Sequence, residues 1–318
     1  MLYDRYGRPI TSLRVTVTHR CNYRCFYCHM EGELGHEELR AEEIFRLVRV
    51  GKELGIDKVK LTGGEPLVRN DVIEIIRLIA SLNLSDLAMT TNGSLLKGIA
   101  SKLSEAGLRR VNVSLPSLKE GVFEKITGVR MLNNVIEGLL EAKDCNLDPI
   151  KLNVVLLKGL NDSEVLDLMD FARKHEFILQ LIELEPVGIE DELYKAHHVP
   201  LDDIEEWLKE RAVKVEVRSY MHGRRQYDLG GLKVEVVKPV NNPYFCMHCT
   251  RLRITADGKL KPCLMRGDNL IDVLGAIRGG DGDEELAKLF IKAVEAKEPY
   301  FKDGEANRSK RVKGLRIC

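Results

Sequence analysis

From residue 11 to residue 185 the chain repeats one unit, a short β-branched or aliphatic run followed by ten or more residues with apolar side chains three and four apart. A period near two giving way to a period near 3.6 predicts successive βα units. The expected strands are 13–18 (LRVTVT), 58–62 (KVKLT), 87–91 (LAMTT), 110–115 (RVNVSL), 151–157 (KLNVVLL) and 178–184 (ILQLIEL). Between them, sets such as Ile44, Leu47, Val48 and Leu54, or Val72, Ile75, Ile76 and Ile79, mark the buried faces of helices. Six such units fit an α/β fold whose parallel sheet curves into a partial (βα)6 TIM-type barrel. The alternation stops near Pro186. Beyond it come a charged helix around 201–211 and a strand at 232–237, so we expect domains at 1–186 and 187–318.

Polar residues and glycines gather just after the strands, where parallel sheets build their sites: Gly63 and Gly64 after the second, Asn92 and Gly93 after the third, Ser114 and Ser117 around the fourth. Six of the eight cysteines fall in two groups, Cys21, Cys25 and Cys28 as CxxxCxxC after the first strand, and Cys246, Cys249 and Cys263 in the second half. The opening MLYDRYGRPITSLRV has no signal-like apolar run and no apolar stretch is long enough for a membrane, so a cytoplasmic protein is expected. That compartment is reducing, which points the cysteines to metal or redox chemistry rather than disulfides. Lys plus Arg equals Asp plus Glu at 49 each, so no global field draws nucleic acid or an acidic membrane, and any anion site must be local. Cys145, at the end of a helical pattern, and Cys318, the last residue, are read as a buried small side chain and a tail thiol.

On spacing alone each group has two readings. Three thiolates suit an iron–sulfur cluster with one iron left open. Three thiolates plus a fourth ligand suit zinc, with His19 or His29 available to the first group and His222 or Cys318 to the second. Arg251 and Arg253 follow Cys249 at alternating positions, so on an extended segment both guanidiniums face one anionic ligand.

The neighbouring motifs decide between these readings. CNYRCFYC at 21–28 followed by TGGEP at 62–66 resembles the radical S-adenosylmethionine (SAM) superfamily. With KLTGGEPLVRND (60–71), TTNG (90–93), AGLRRVNVSL (106–115), KLNVVLLKGLND (151–162) and CMHCTRLRITADGKLKPCL (246–264), the chain resembles the GTP 3′,8-cyclase family of molybdenum cofactor biosynthesis, in an archaeal form. The resemblance implies two [4Fe-4S] clusters, one on each cysteine group, in a barrel and a smaller C-terminal cluster-binding domain. It implies SAM contacts at Tyr27, Gly63, Gly64 and Ser114, the glycines leaving backbone groups open to the ligand's amino group. GTP falls to Arg14, Lys60, Thr90, Lys151, Arg251, the backbone of Leu252, and Arg253, with Arg251 and Arg253 also catalytic. By the same resemblance, SAM cleavage yields a radical that takes hydrogen from the ribose C3′, and the carbon radical attacks C8 of the base. The implied partners are a reductant such as ferredoxin or flavodoxin and a downstream cyclic pyranopterin monophosphate synthase, with a homodimer allowed.

The chain departs from the family pattern at four places. Pro116 stands where an aspartate is usual, Gln180 where an arginine often lies, and Glu185 where a methionine is usual. The chain ends RVKGLRIC instead of in a glycine pair, and Gly279 and Gly280 lie too early to be that tail. The competing functions are a peptide-modifying radical enzyme with an auxiliary cluster and a zinc-stabilised binding module.

Overall fold

The computed structural model describes residues 1–29 and 37–300, and within them the expected alternation forms one 12-stranded sheet. Its first six strands are β1 (Ser12–Thr16), β2 (Lys58–Thr62), β3 (Asp86–Thr91), β4 (Arg110–Ser114), β5 (Lys151–Leu156) and β6 (Ile178–Glu183). They lie side by side in chain order, every pair parallel. All six match the expected runs to within one or two residues, the usual play at element ends. Helices α1 (Ala41–Glu53), α2 (Val72–Ala80), α3 (Ala100–Glu105), α4 (Glu120–Thr127), α5 (Leu132–Asp144) and α6 (Val165–Lys174) make the crossovers. Cys145 caps α5 and is half-buried, while Cys318 and Gly314 lie outside the described residues.

The second half builds onto the same sheet, at both of its edges. After α7 (Asp191–His197) and α8 (Asp202–Arg211), strands β7 (Lys214–Arg218), β8 (Arg224–Asp228) and β9 (Lys233–Val237) form an antiparallel ribbon whose last strand pairs parallel with β6. The chain then crosses through α9 (Pro243–Met247) to the opposite edge. There β10 (Arg251–Ile254) pairs parallel with β1, and β11 (Lys259–Lys261) and β12 (Ile271–Asp272) extend outward from it. Helices α10 (Leu274–Arg278) and α11 (Asp283–Glu295) close the chain's described part. Phe290 of α11 meets Gly51 of α1, which itself lies against Leu13 of β1.

Strand alternation sorts the two faces. Leu13, Val15, Val59, Leu61, Leu87, Met89, Val111, Val113, Leu152, Val154, Leu179 and Leu181 are buried together with the helices in one continuous core. At roughly 1.5–3 kcal/mol per fully buried aliphatic side chain, this face drives the assembly. Their neighbours in sequence, Arg14, Lys60, Thr90, Asn112, Ser114, Lys151, Asn153 and Gln180, all point to the other face and line one cavity. A parallel sheet covered on both sides ordinarily carries apolar residues on both. Eight polar positions on one face therefore mark a surface built for something other than packing.

Candidate active site

The first cysteine loop leaves β1 and is pinned by backbone. Arg24 N–H donates to Thr127 O at 2.8 Å and Phe26 N–H to Ile126 O at 3.3 Å, so the loop satisfies carbonyls that the end of α4 would otherwise leave orphaned. Gly128 ends α4 in the left-handed conformation. On the other side the loop meets the glycine pair after β2. Gly64 N–H donates to Thr18 O at 2.8 Å and Glu65 N–H to Arg20 O at 2.8 Å. A Cβ at Gly64 would sit 2.2 Å from Arg20 O, and one at Gly63 2.5 Å from Thr18 O. The Gly64 N–H is thus engaged by the cysteine loop, and glycine is required there because two backbones touch.

Glu65 lies beneath this junction with no exposed surface. Its carboxyl accepts from Thr91 Oγ1 at 2.7 Å, Asn92 N–H at 2.6 Å and Leu67 N–H at 3.0 Å, tying β2 to the end of β3. Burial pushes its pKa up to about 7, against those three donors. Asn92 continues the chain of bonds, donating to Asn22 Oδ1 at 2.7 Å and standing 4.0 Å from Cys21 Sγ. Burial also pushes the Cys25 thiol up to about 12, with Cys28 and Cys21 adding to it.

Across the sheet the cations are brought together by register. Parallel pairing sets Arg253 beside Arg14 and Arg14 beside Lys60. Lys60 Nζ donates to Asn112 Oδ1 at 3.0 Å. Burial, then Arg110, Arg14, Arg251 and Lys151, hold the Lys60 ammonium well below the ordinary lysine range. Several positive charges thus crowd one face of the cavity. Arg110 is paired with Asp86. Lys151 Nζ is 2.5 Å from Glu235 Oε1, a carboxylate with no exposed surface that also faces Arg218 at 2.6 Å and Arg224 at 3.5 Å. Gln180 and Gln226 donate to it at 2.7 and 2.8 Å. Burial opposes the charge on Glu235, but Lys151 and Arg224 outweigh it and hold the carboxyl well below its usual range.

The second cysteine group sits at the opposite wall. Asn242 caps α9 by accepting from Phe245 N–H at 3.0 Å, and Cys249 N–H donates back to Cys246 O at 3.0 Å, which turns the CxxC sharply into β10. Arg8 from the N-terminal arm donates to Cys246 O at 2.8 Å and to Glu298 O at 2.6 Å, fastening this loop to the end of the described chain. His222 stacks on Phe245 with ring centroids 4.0 Å apart, its Nδ1 3.2 Å from Phe245 O.

Both cysteine groups, the cation row, Tyr27, Gly63, Gly64, Ser114 and Thr90 line a single cavity of about 350 Å³, within the roughly 300–1,000 Å³ typical of ligand sites. Of the residues the resemblance assigns to the clusters, SAM and GTP, Leu252 alone does not line it, its side chain being buried in the core. Sequence reasoning missed Glu235, Arg224 and Lys297, which also belong to this wall or support it. No cysteine among the described residues forms a disulfide. Among the described residues no group of three or more His, Cys, Asp or Glu side chains stands together as a ready cage for one metal ion. Burial lowers the His19 pKa against the pull of Asp257 and Glu38, and His19 is not among the residues that line the cavity. The three thiols of each group line this cavity, and three thiolates are a donor set that suits an iron–sulfur cluster with one iron left open.

Comparison with known proteins agrees with this geometry. Residues 15–172 match the Radical SAM superfamily and residues 177–303 match Molybdenum Cofactor Synthesis C. A protein of Thermococcus kodakarensis named probable GTP 3′,8-cyclase is 52% identical over 95% of this chain and 100% of its own length. One of the same name from Methanothermobacter thermautotrophicus is 44% identical over 94% of this chain and 98% of its own. The chain belongs to the GTP 3′,8-cyclase family. In fold it is similar to anSMEcpe with bound AdoMet, at a TM-score of 0.63 and 17% identity over 91% of this chain and 81% of that one. Streptococcus suis SuiB bound to S-adenosylmethionine gives 0.61 and 17% over 93% and 75%.

Within this GTP 3′,8-cyclase family member, the three internal departures all line the cavity. Gln180 is absorbed into the Glu235 network, and the Pro116 carbonyl accepts from Asn161 Nδ2 at 2.7 Å. The RVKGLRIC segment at 311–318 lies outside the described residues. No helix among the described residues is long and apolar enough to cross a membrane.

Proposed function

We propose that the chain is a radical SAM enzyme that converts GTP to (8S)-3′,8-cyclo-7,8-dihydroguanosine 5′-triphosphate, the first step of molybdenum cofactor biosynthesis. The observation that carries this reading is the meeting of two three-cysteine loops on one cavity whose sheet face bears a row of cations. In this reading residues 1–186 are a partial (βα)6 barrel and 187–318 a C-terminal domain. Cys21, Cys25 and Cys28 hold one [4Fe-4S] cluster, and Cys246, Cys249 and Cys263 hold the other. When bound, the clusters and SAM supply one-electron chemistry and a hydrogen-abstracting radical.

The chain's own residues bind, orient and exclude water. Tyr27, the Gly63–Gly64 backbone and Ser114 sit along the strand ends near the first group and receive SAM. Arg14, Lys60, Thr90, Lys151, Arg251, the Leu252 backbone and Arg253 receive GTP. A triphosphate carries about four negative charges, and a chain of zero net charge must meet them with local cations. The two guanidiniums beside Cys249 are placed to hold the substrate's reacting end in a fixed orientation, which is where most of the chain's contribution to rate lies. A cavity rich in cations suits a polyanion better than a peptide. By family, ferredoxin or flavodoxin supplies electrons and a cyclic pyranopterin monophosphate synthase takes the product.

Anaerobically reconstituted protein is expected to bind about eight irons and, with reductant, SAM and GTP, to release 5′-deoxyadenosine together with the cyclised nucleotide. Equal turnover of ATP would overturn the substrate assignment. Two zincs and no iron in protein purified without air would overturn the reaction class.

A further inference from the structure

The second cysteine group has a cation of its own. Lys297, just after α11, is 4% exposed. Its Nζ donates to the carbonyls of Arg251 and Pro262, both at 2.9 Å, and lies 3.8 Å from Cys249 Sγ. Those carbonyls stand two residues after Cys249 and one before Cys263, so a single side chain bridges both cysteine-bearing segments. Among the described residues no carboxylate lies in ion-pair range of this ammonium; the neighbouring Glu298 turns its carboxylate to Arg266 at 3.7 Å. An ammonium buried among neutral acceptors is expensive. A nearby atom able to carry negative charge is the Cys249 sulfur.

We propose that Lys297 positions the second cysteine group and supplies the positive charge that balances a thiolate-bound cluster there, raising that cluster's reduction potential. The inference rests on reading Cys246, Cys249 and Cys263 as cluster ligands. Reduction adds one electron and neither makes nor breaks a bond, so the reduced form is the more negative one. A fixed ammonium at hydrogen-bonding range of a ligand sulfur stabilises that form, and net charge and hydrogen bonds to sulfur are the levers that set such potentials.

The test uses the full chain with the first group silenced by Cys21→Ala, Cys25→Ala and Cys28→Ala, so that only the second cluster is read. Iron content and the midpoint potential, followed by electron paramagnetic resonance, are compared for this parent and for Lys297→Met and Lys297→Arg added to it. Lys297→Met is expected to keep about four irons while its reduction equilibrium weakens at least tenfold, a fall of about 59 mV. Lys297→Arg, which keeps the charge, is expected to stay within threefold of the parent. Loss of iron in Lys297→Met but not in Lys297→Arg would also support the charge role. An unchanged potential in Lys297→Met, equal shifts in both variants, or loss of iron from both would overturn it. A parent that takes up no iron would instead overturn the second-cluster reading itself, and this inference with it.

Discussion

Replacing Glu235 with glutamine tests whether the cation face is balanced from within. The carboxylate is fully buried and faces Lys151 at 2.5 Å, Arg218 at 2.6 Å and Arg224 at 3.5 Å. Glutamine keeps the volume but leaves those cations without their shared anion, and breaking a buried pair this way costs about 3–5 kcal/mol. At roughly 2–3 °C per kcal/mol for a chain of this size, the thermal midpoint at pH 7 is expected to fall on the order of 10 °C. The folded carboxyl sits well below its usual range, so its contribution is fully present above the unfolded value near 4.3 and is lost as pH falls. The gap between wild type and Glu235→Gln is therefore expected to close in acid, below about pH 4. Tripolyphosphate, which brings anionic charge to the same face, is expected to raise the midpoint of the variant more than that of wild type. Differential scanning fluorimetry across pH, with and without tripolyphosphate, reads all of this. A midpoint within about 2 °C of wild type at pH 7, well inside the shift expected from 3–5 kcal/mol, refutes the balance argument.

Gly64→Ala puts a Cβ 2.2 Å from Arg20 O, so about 1–3 kcal/mol of stability and the iron uptake of the first group are expected to fall together; normal iron content would show that the loops part without harm. Because burial raises the Glu65 carboxyl to about 7, its contribution is present below the unfolded value near 4.3 and is lost as pH rises through 7. Glu65→Gln is expected to flatten the stability profile over that window, and an unchanged denaturation profile from pH 4.5 to 7.5 counts against it. Cys21→Ala is expected to abolish SAM cleavage, whereas Arg251→Ala spares basal 5′-deoxyadenosine formation and stops the cyclised product. Full product from Arg251→Ala, measured by chromatography, refutes its assigned role.

Much of the fold was legible because each strand is written in a period-two code. In KVKLT (58–62) the same alternation that buries Val59 and Leu61 turns Lys60 to the cavity. The glycine pair was legible as a close approach, but that the cysteine loop's own carbonyls pack against it was not. Glu235 was invisible in KVEVV, since a lone glutamate in a short strand reads as a solvated edge residue until the strand's neighbours are known.

The local pattern by itself determined which residues form the six parallel strands, which face their side chains take, and that two sets of three thiols exist. Spacing along one segment controls those things. Only the tertiary structure decided that the second half joins both edges of the first half's sheet. That pairing sets Arg253 beside Arg14 and lets Glu235 reach Lys151 across 84 residues of chain. It also carries Lys297 to Cys249 across 48. Such partners are chosen by burial of the shared apolar face and the unpaired strand edges, which reward contacts regardless of distance in sequence and leave no periodic trace in it.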